Sequence, residues 1–326
     1  MAKAASTVDK REELVNQIIE KMEQASKFET PWFKCIDTPF NPMTGTRYRG
    51  INYVSLALAG FDDPRFFTFN GMQQFAEKNG LDLHIKKGSK GMPIFHANKV
   101  NVVDNKEATL EGEDTKTKQV FYQKCVGVVF NASQIEGMPP FERKRNLDFS
   151  PIEEAELVKE AMIEMTGLKL NYHERGEAFY APSRDTVMLP PPERFKTTEM
   201  YYTTMLHEFG HATGHESRVG RDIKGRFGDQ KYAFEELVAE LSSYFIGSEI
   251  GIPYDGRLHE NHAAYLKSWI GALKEDKSML FSAASHAGRA ADYQIERKEE
   301  LKQERLFERG AEEVQSVKRR EREMEM

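Results

Sequence analysis

Apolar positions along the chain change period several times, and the changes divide it. Leu14, Val15, Ile18, Ile19 and Met22 recur at three and four residues with charges between them, which predicts an amphipathic helix over residues 10–27. An irregular stretch with Pro39, Pro42, Gly45 and Gly50 follows. Short helices are predicted over 53–59 and 71–79, the second stopped by Asn79-Gly80. Strand-like runs cover 81–85, 93–103 and 119–130, with a polar loop over 104–118. The second half opens with a helix over 151–166 ended by Gly167. Short strands follow near 168–172, 178–180 and 186–189. Helices are then predicted over 197–212, 232–250, 259–274 and 277–294. The order is strands among helices in both halves, so the predicted class is α+β. Two domains are expected, a small α+β one over 8–135 and a mostly helical one with a small sheet over 151–295. Residues 136–150 read as a linker, and 296–326 as a charged tail, solvated or disordered.

Composition narrows the class. The chain has 326 residues, 39% hydrophobic and 30% charged. No apolar run reaches the roughly 20 residues a membrane helix needs. Residues 1–27 lack the apolar core of a secretory signal, and two cysteines cannot build a disulfide framework. The expectation is a cytoplasmic protein without a membrane partner. The net charge of −6 does not suggest nucleic-acid binding on average, so charge has to be read by segment.

The strongest chemical signal is His207-Glu208-Phe209-Gly210-His211. On a helix, positions i and i+4 share a face, so both imidazoles can bind one Zn2+. Glu208 then lies beside the open coordination position, where it can act as general base on water. Chance occurrence on a helix surface is the plain alternative, but Met205, Leu206, Tyr201 and Tyr202 make this helix partly buried. A catalytic zinc takes a third protein ligand. His215 departs from the H-E-x-x-H-x-x-G-x-x-H spacing, whose last position here is Ser217. Glu235-Glu236-Leu237-Val238-Ala239-Glu240 is similar to the second-helix motif of gluzincin-type peptidases. That spacing favours Glu236 as ligand, with Glu240 one turn later as a hydrogen-bond acceptor for a ligand histidine. Glu240 and Glu235 are weaker ligand candidates, and all three acids could instead form the polar face of a helix. Tyr180, Tyr201, His215 and Arg218 are open as stabilisers of a developing oxyanion, and none is singled out. Residues 178–185 are a candidate edge strand, since Pro182 cannot donate to a ladder, and similarity to zincins implies that such an edge runs beside the metal and binds an extended peptide.

In the first half, cations alternate with aromatics: Trp32; Arg47, Tyr48, Arg49 and Tyr53; then Lys86, Lys87 and Lys90 in a Gly-rich turn. Stacking platforms beside phosphate-facing cations suit single-stranded nucleic acid, although aromatics more often build cores. Trp32 and Tyr48 are the expected platforms.

Several long motifs occur in order. They are Asn41-Pro42-Met43-Thr44-Gly45-Thr46-Arg47-Tyr48-Arg49-Gly50-Ile51-Asn52, Lys86-Lys87-Gly88-Ser89-Lys90-Gly91, Tyr180-Ala181-Pro182-Ser183-Arg184-Asp185, the stretch from Tyr202 to His215, and Glu235 to Leu241. With these the chain resembles the ArdC-like antirestriction family over about residues 10–295. The stretch Phe66 to Gly71 departs from the family, where tryptophan and more polar residues are expected. The resemblance implies an N-terminal domain that binds single-stranded DNA and a zincin-like metallopeptidase domain. It also implies a zinc site and protection of incoming mobile DNA from restriction. The resulting expectation is a DNA-associated zinc metallopeptidase acting on an unidentified protein or peptide. The alternatives are a non-catalytic DNA-binding protein with a structural zinc, and a peptidase whose first domain docks its protein substrate.

Overall fold

The computed structural model describes residues 9–24, 37–103, 117–142, 151–174, 177–223, 229–252 and 262–324. Helix α1 (Lys10–Gln24) buries Leu14, Val15, Ile18, Ile19 and Met22, the stripe the periodicity marks. After it come α2 (Gly50–Leu58), β1 (Phe66–Phe67), α3 (Phe69–Asn79), β2 (His84–Ile85), β3 (Met92–Val103), β4 (Thr117–Asn131) and β5 (Ile135–Glu136). Helix α3 starts where the Thr68 side chain accepts from the Gly71 N–H, and stops at Gly80, whose φ of 64° few other residues tolerate. Strand β4 is the centre of an antiparallel sheet, β1-β4-β3, while β2 pairs with β5.

The second half contains α4 (Pro151–Glu164), β6 (Lys169–Tyr172), β7 (Phe179–Ala181), β8 (Thr186–Leu189), α5 (Thr198–Ala212), α6 (Gln230–Glu249), α7 (His262–Glu275) and α8 (Ser278–Met324). Its sheet has the order β6-β8-β7, with β6 parallel and β7 antiparallel to β8. Strand β7 is therefore an edge. The architecture is α+β with two parts, as the apolar pattern indicates.

Two features differ from the pattern-based reading. Helix α8 continues through residue 294 as one helix of 47 residues. Its start is apolar and buried at Leu280, Ala283, Ala284, Ala287 and Ala291. Further along, Lys298 and Lys302 pair with Glu154 at 2.7 and 2.6 Å, and Arg305 pairs with Glu160 at 2.6 Å. Leu301 is buried too. The expected solvated tail is thus docked on α4 at least as far as Arg305, because its cations match the acidic row of that helix. Second, the two halves share one apolar core. Ile51, Tyr53, Val54 and Phe95 belong to the same buried cluster as Phe209, Tyr244, Phe245, Leu280 and Phe281.

Candidate metal centre

Helix α5 begins at Thr197, whose hydroxyl accepts from the Met200 N–H at 3.2 Å. It then runs buried on nearly all sides, because α6 crosses it closely at Gly210. A Cβ built there would lie 3.0 Å from Ala239 Cα. This crossing brings His207, His211 and Glu236 together, with one ligand atom of each within 4.8 Å of the others. The Nε2 atoms of His207 and His211 lie 3.5 and 3.6 Å from the two oxygens of Glu236. Donors bound at about 2.0–2.1 Å around a tetrahedral ion stand roughly 3.4 Å apart, so the group fits a divalent metal.

The other ring nitrogens are held by carboxylates. His207 Nδ1 lies 3.2 Å from Glu240 Oε2, and His211 Nδ1 lies 3.0 Å from Glu235 Oε1. Each Nδ1 then carries the hydrogen, which leaves the Nε2 lone pairs for a metal. Adjacent acids on a helix usually face solvent, yet Glu235 and Glu236 are both buried. The weak reading of Glu235 as a ligand gives way to this hydrogen-bonding place. The site therefore takes three carboxylates from one helix, and Glu235 is the one sequence spacing did not place.

Electrostatics follow from the packing. Burial works against charge on His207, but Glu236 and Glu240 outweigh it and hold the imidazole well above its usual range. The same balance raises His211, with Glu236 and Glu235 opposing burial. Burial alone would raise Glu236, but the two imidazoles push it down to about 2. Glu208 is raised, chiefly by burial. The two imidazoles oppose that shift, as does a backbone hydrogen bond from Tyr180 on β7. This surplus of buried carboxylates is what a divalent cation neutralises.

A model of the N-terminal domain of anti-restriction factor ArdC matches residues 8–130, and a zincin-like metallopeptidase model matches residues 158–286. DNA primase TraC of Escherichia coli is 34% identical over 319 residues, which are 94% of this chain but 29% of TraC. The uncharacterized protein y4eC of Sinorhizobium fredii (strain NBRC 101917 / NGR234) is 32% identical over 86% of this chain and 90% of its own. The metal-free crystal structure of antirestriction protein ArdC from plasmid R388 is 30% identical, with a TM-score of 0.68 over 90% of this chain and 99% of that one. This chain belongs to the ArdC-like antirestriction family. The Mn(II)-bound structure of the R388 protein is 31% identical and gives a TM-score of 0.65 over 89% of this chain and 98% of that one.

In this ArdC-like chain each of the four open oxyanion candidates makes a hydrogen bond within the protein. The Tyr180 hydroxyl donates to Asp185 at 2.8 Å, and Tyr201 shares a 2.8 Å hydrogen bond with Tyr172. Arg218 grips Asp185 at 2.8 and 2.6 Å, and His215 Nδ1 lies 2.8 Å from Ser217 Oγ.

The residues expected to meet DNA are scattered. Trp32 lies outside the described residues. Tyr53 is a correction: it is 2% exposed and packs edge-on against Tyr244 and Phe245, with ring centroids at 5.2 and 5.0 Å. Its position on the apolar face of α2 makes it core. Tyr48 is half-buried against Phe66, and burial pushes its hydroxyl up to about 12. Arg47 and Arg49 are exposed and pair with Glu249 and Asp292. Lys86 donates to the Ser133 carbonyl at 2.8 Å, and Lys87 and Lys90 are exposed. A Cβ on Gly91, which ends that lysine turn, would lie 3.0 Å from Val128 Cβ and 3.1 Å from Phe130 Cζ. The turn thus abuts a face of β4 on which Val126 and Val128 are exposed.

Proposed function

We propose that this chain is a zinc-dependent peptidase of antirestriction type whose N-terminal part binds single-stranded DNA. The observation that carries the peptidase reading is the place of Glu208. It is buried next to the His207–His211–Glu236 group, outside that set, and it takes a backbone N–H from the edge strand β7. A purely structural metal site has no need of such a carboxylate. His207, His211 and Glu236 would hold the ion. When bound, zinc supplies Lewis acidity and brings the pKa of a water on it to about 7. Glu208 takes a proton from the attacking water and returns it to the leaving amide nitrogen. A carboxylate placed there can both accept and give the proton that this transfer requires. Strand β7 offers an edge along which an extended peptide can add as a further strand.

The DNA reading is supported by the lysine turn beside the exposed β4 face. Lys87 and Lys90 suit phosphates, and Val126 and Val128 offer apolar surface to unstacked bases. Protection of incoming mobile DNA is the role we assign to the two together.

Glu208→Gln tests the peptidase. The variant is expected to keep its metal and its fold and to lose about 10²- to 10⁴-fold in cleavage of an unfolded test protein. Cleavage at the wild-type rate overturns the mechanism.

A further inference from the structure

Among the described residues, Arg221 has one of the least exposed charged side chains, and it comes from the loop after α5. Its side chain is 3% exposed. The loop is pinned by backbone bonds from Val219 N–H to Thr213 O and from Arg221 N–H to Gly214 O, both 3.1 Å. It folds back so tightly that a Cβ on Gly214 would come within 2.3 Å of Ile223 Cγ2. The guanidinium takes both oxygens of Glu235, Nε to Oε2 at 2.8 Å and Nη2 to Oε1 at 2.7 Å. It also donates to Thr213 Oγ1 at 2.6 Å and to the Gly210 carbonyl. Glu235 Oε1 is the oxygen facing His211 Nδ1.

We propose that Arg221, acting through Glu235, is a positioning residue that orients the His211 imidazole and keeps Glu235 out of the metal ligand set. The inference rests on the metal-site reading above. Its physical basis is that α6 delivers two neighbouring buried carboxylates to one imidazole, and only one of them belongs on a metal. A two-pronged guanidinium fixes the plane of a carboxylate and occupies its lone pairs. Held this way, Glu235 accepts the His211 Nδ1 hydrogen and turns Nε2 towards Glu236. Without Arg221, Glu235 would be a buried anion beside Glu236 with one partner left, free to compete as a ligand.

The test uses the full chain, since the two halves share a core. Zinc affinity is measured by competition with a chelator, the visible spectrum with Co(II) in place of zinc, and thermal stability without metal. Glu235→Gln and Arg221→Met are each expected to weaken zinc by about 10–100-fold and to change the cobalt spectrum. The double variant should be no weaker than the worse single one, because both act along one path. Arg221→Lys should recover part of the affinity. If Arg221→Met does not fold, Glu235→Gln and the double variant, which leave no unpaired buried carboxylate at this position, decide the question. A folded Glu235→Gln that binds zinc within about twofold of wild type overturns the proposal, as does a double variant whose effects simply add. Lower metal-free stability with unchanged zinc affinity also overturns it. Failure of the wild-type chain to bind zinc is a separate result, and it removes the metal-site reading itself.

Discussion

Gly210 and Ala239 meet where α5 and α6 cross, and a Cβ on Gly210 would lie 3.0, 3.2 and 3.3 Å from the Cα, carbonyl oxygen and Cβ of Ala239. The nearest of these are backbone atoms, which cannot step aside as a side-chain tip can. Gly210→Val is therefore expected to lower stability by about 1–3 kcal/mol through overpacking, and to weaken metal binding by parting the two helices. Beyond its own helix, none of the described residues comes within 4 Å of a Cβ built at Gly271 on α7. Gly271→Ala should stabilise by up to about 1 kcal/mol. Urea unfolding of both variants checks the contrast.

Metal should stabilise the fold. Binding only the native state adds about 4 kcal/mol at a free concentration of 1,000 times the Kd, so zinc is expected to raise the thermal midpoint. His207→Ala should abolish the rise. Glu240→Ala should leave it present but demand about 10–100-fold more zinc, because it acts through His207 Nδ1. Calorimetry with and without metal separates the two.

Tyr53 and the lysine turn should respond in opposite ways. Tyr53→Ala opens a cavity between α2 and α6 and is expected to cost about 3–5 kcal/mol. Alanine at Lys86, Lys87 and Lys90 should leave stability near wild type and weaken binding to an oligonucleotide. The dependence of log affinity on log salt should flatten by about 0.7 for each phosphate that is no longer neutralised. A salt titration of the full chain, run beside its unfolding curve, measures both.

Asp185 should contribute to acid lability with a definite sign. Burial would raise its carboxyl, but hydrogen bonds from Arg218 and Tyr180 hold it below its usual range. Its native pKa is thus lower than its unfolded value of about 3.9. Stabilisation from this group is fully present above the unfolded pKa and is lost as pH falls through the native one. Asp185→Asn suits the φ of 45° at this position, since asparagine tolerates left-handed backbone. The variant should be less stable than wild type at pH 6, and the gap should close as pH falls below about 4. Urea midpoints across that range, with chelator present, check it.

Much of this protein is determined locally. The stripe of α1, the stop at Gly80 and the i, i+4 pair His207 and His211 depend on neighbours a few residues apart, so the sequence alone reveals them. Glu236 and Glu240 are also within reach, through the similarity of their helix to the second-helix motif of gluzincin-type peptidases. Tertiary structure decided what depends on distant partners. Tyr53 follows Arg49 in an alternation of aromatics and cations that suits a DNA platform, yet α6 covers it with Tyr244 and Phe245. The charged residues after 296 read as solvated until α4 supplies Glu154 and Glu160. Glu235 looks like a surface acid beside Glu236, and only the crossing at Gly210 and Ala239 turns it towards His211. Arg221 carries no such signal, since its carboxylate partner lies 14 residues further along the chain. Sequence period reports which face of an element is apolar. What that face meets, and which buried charges end up paired, is set by packing between elements.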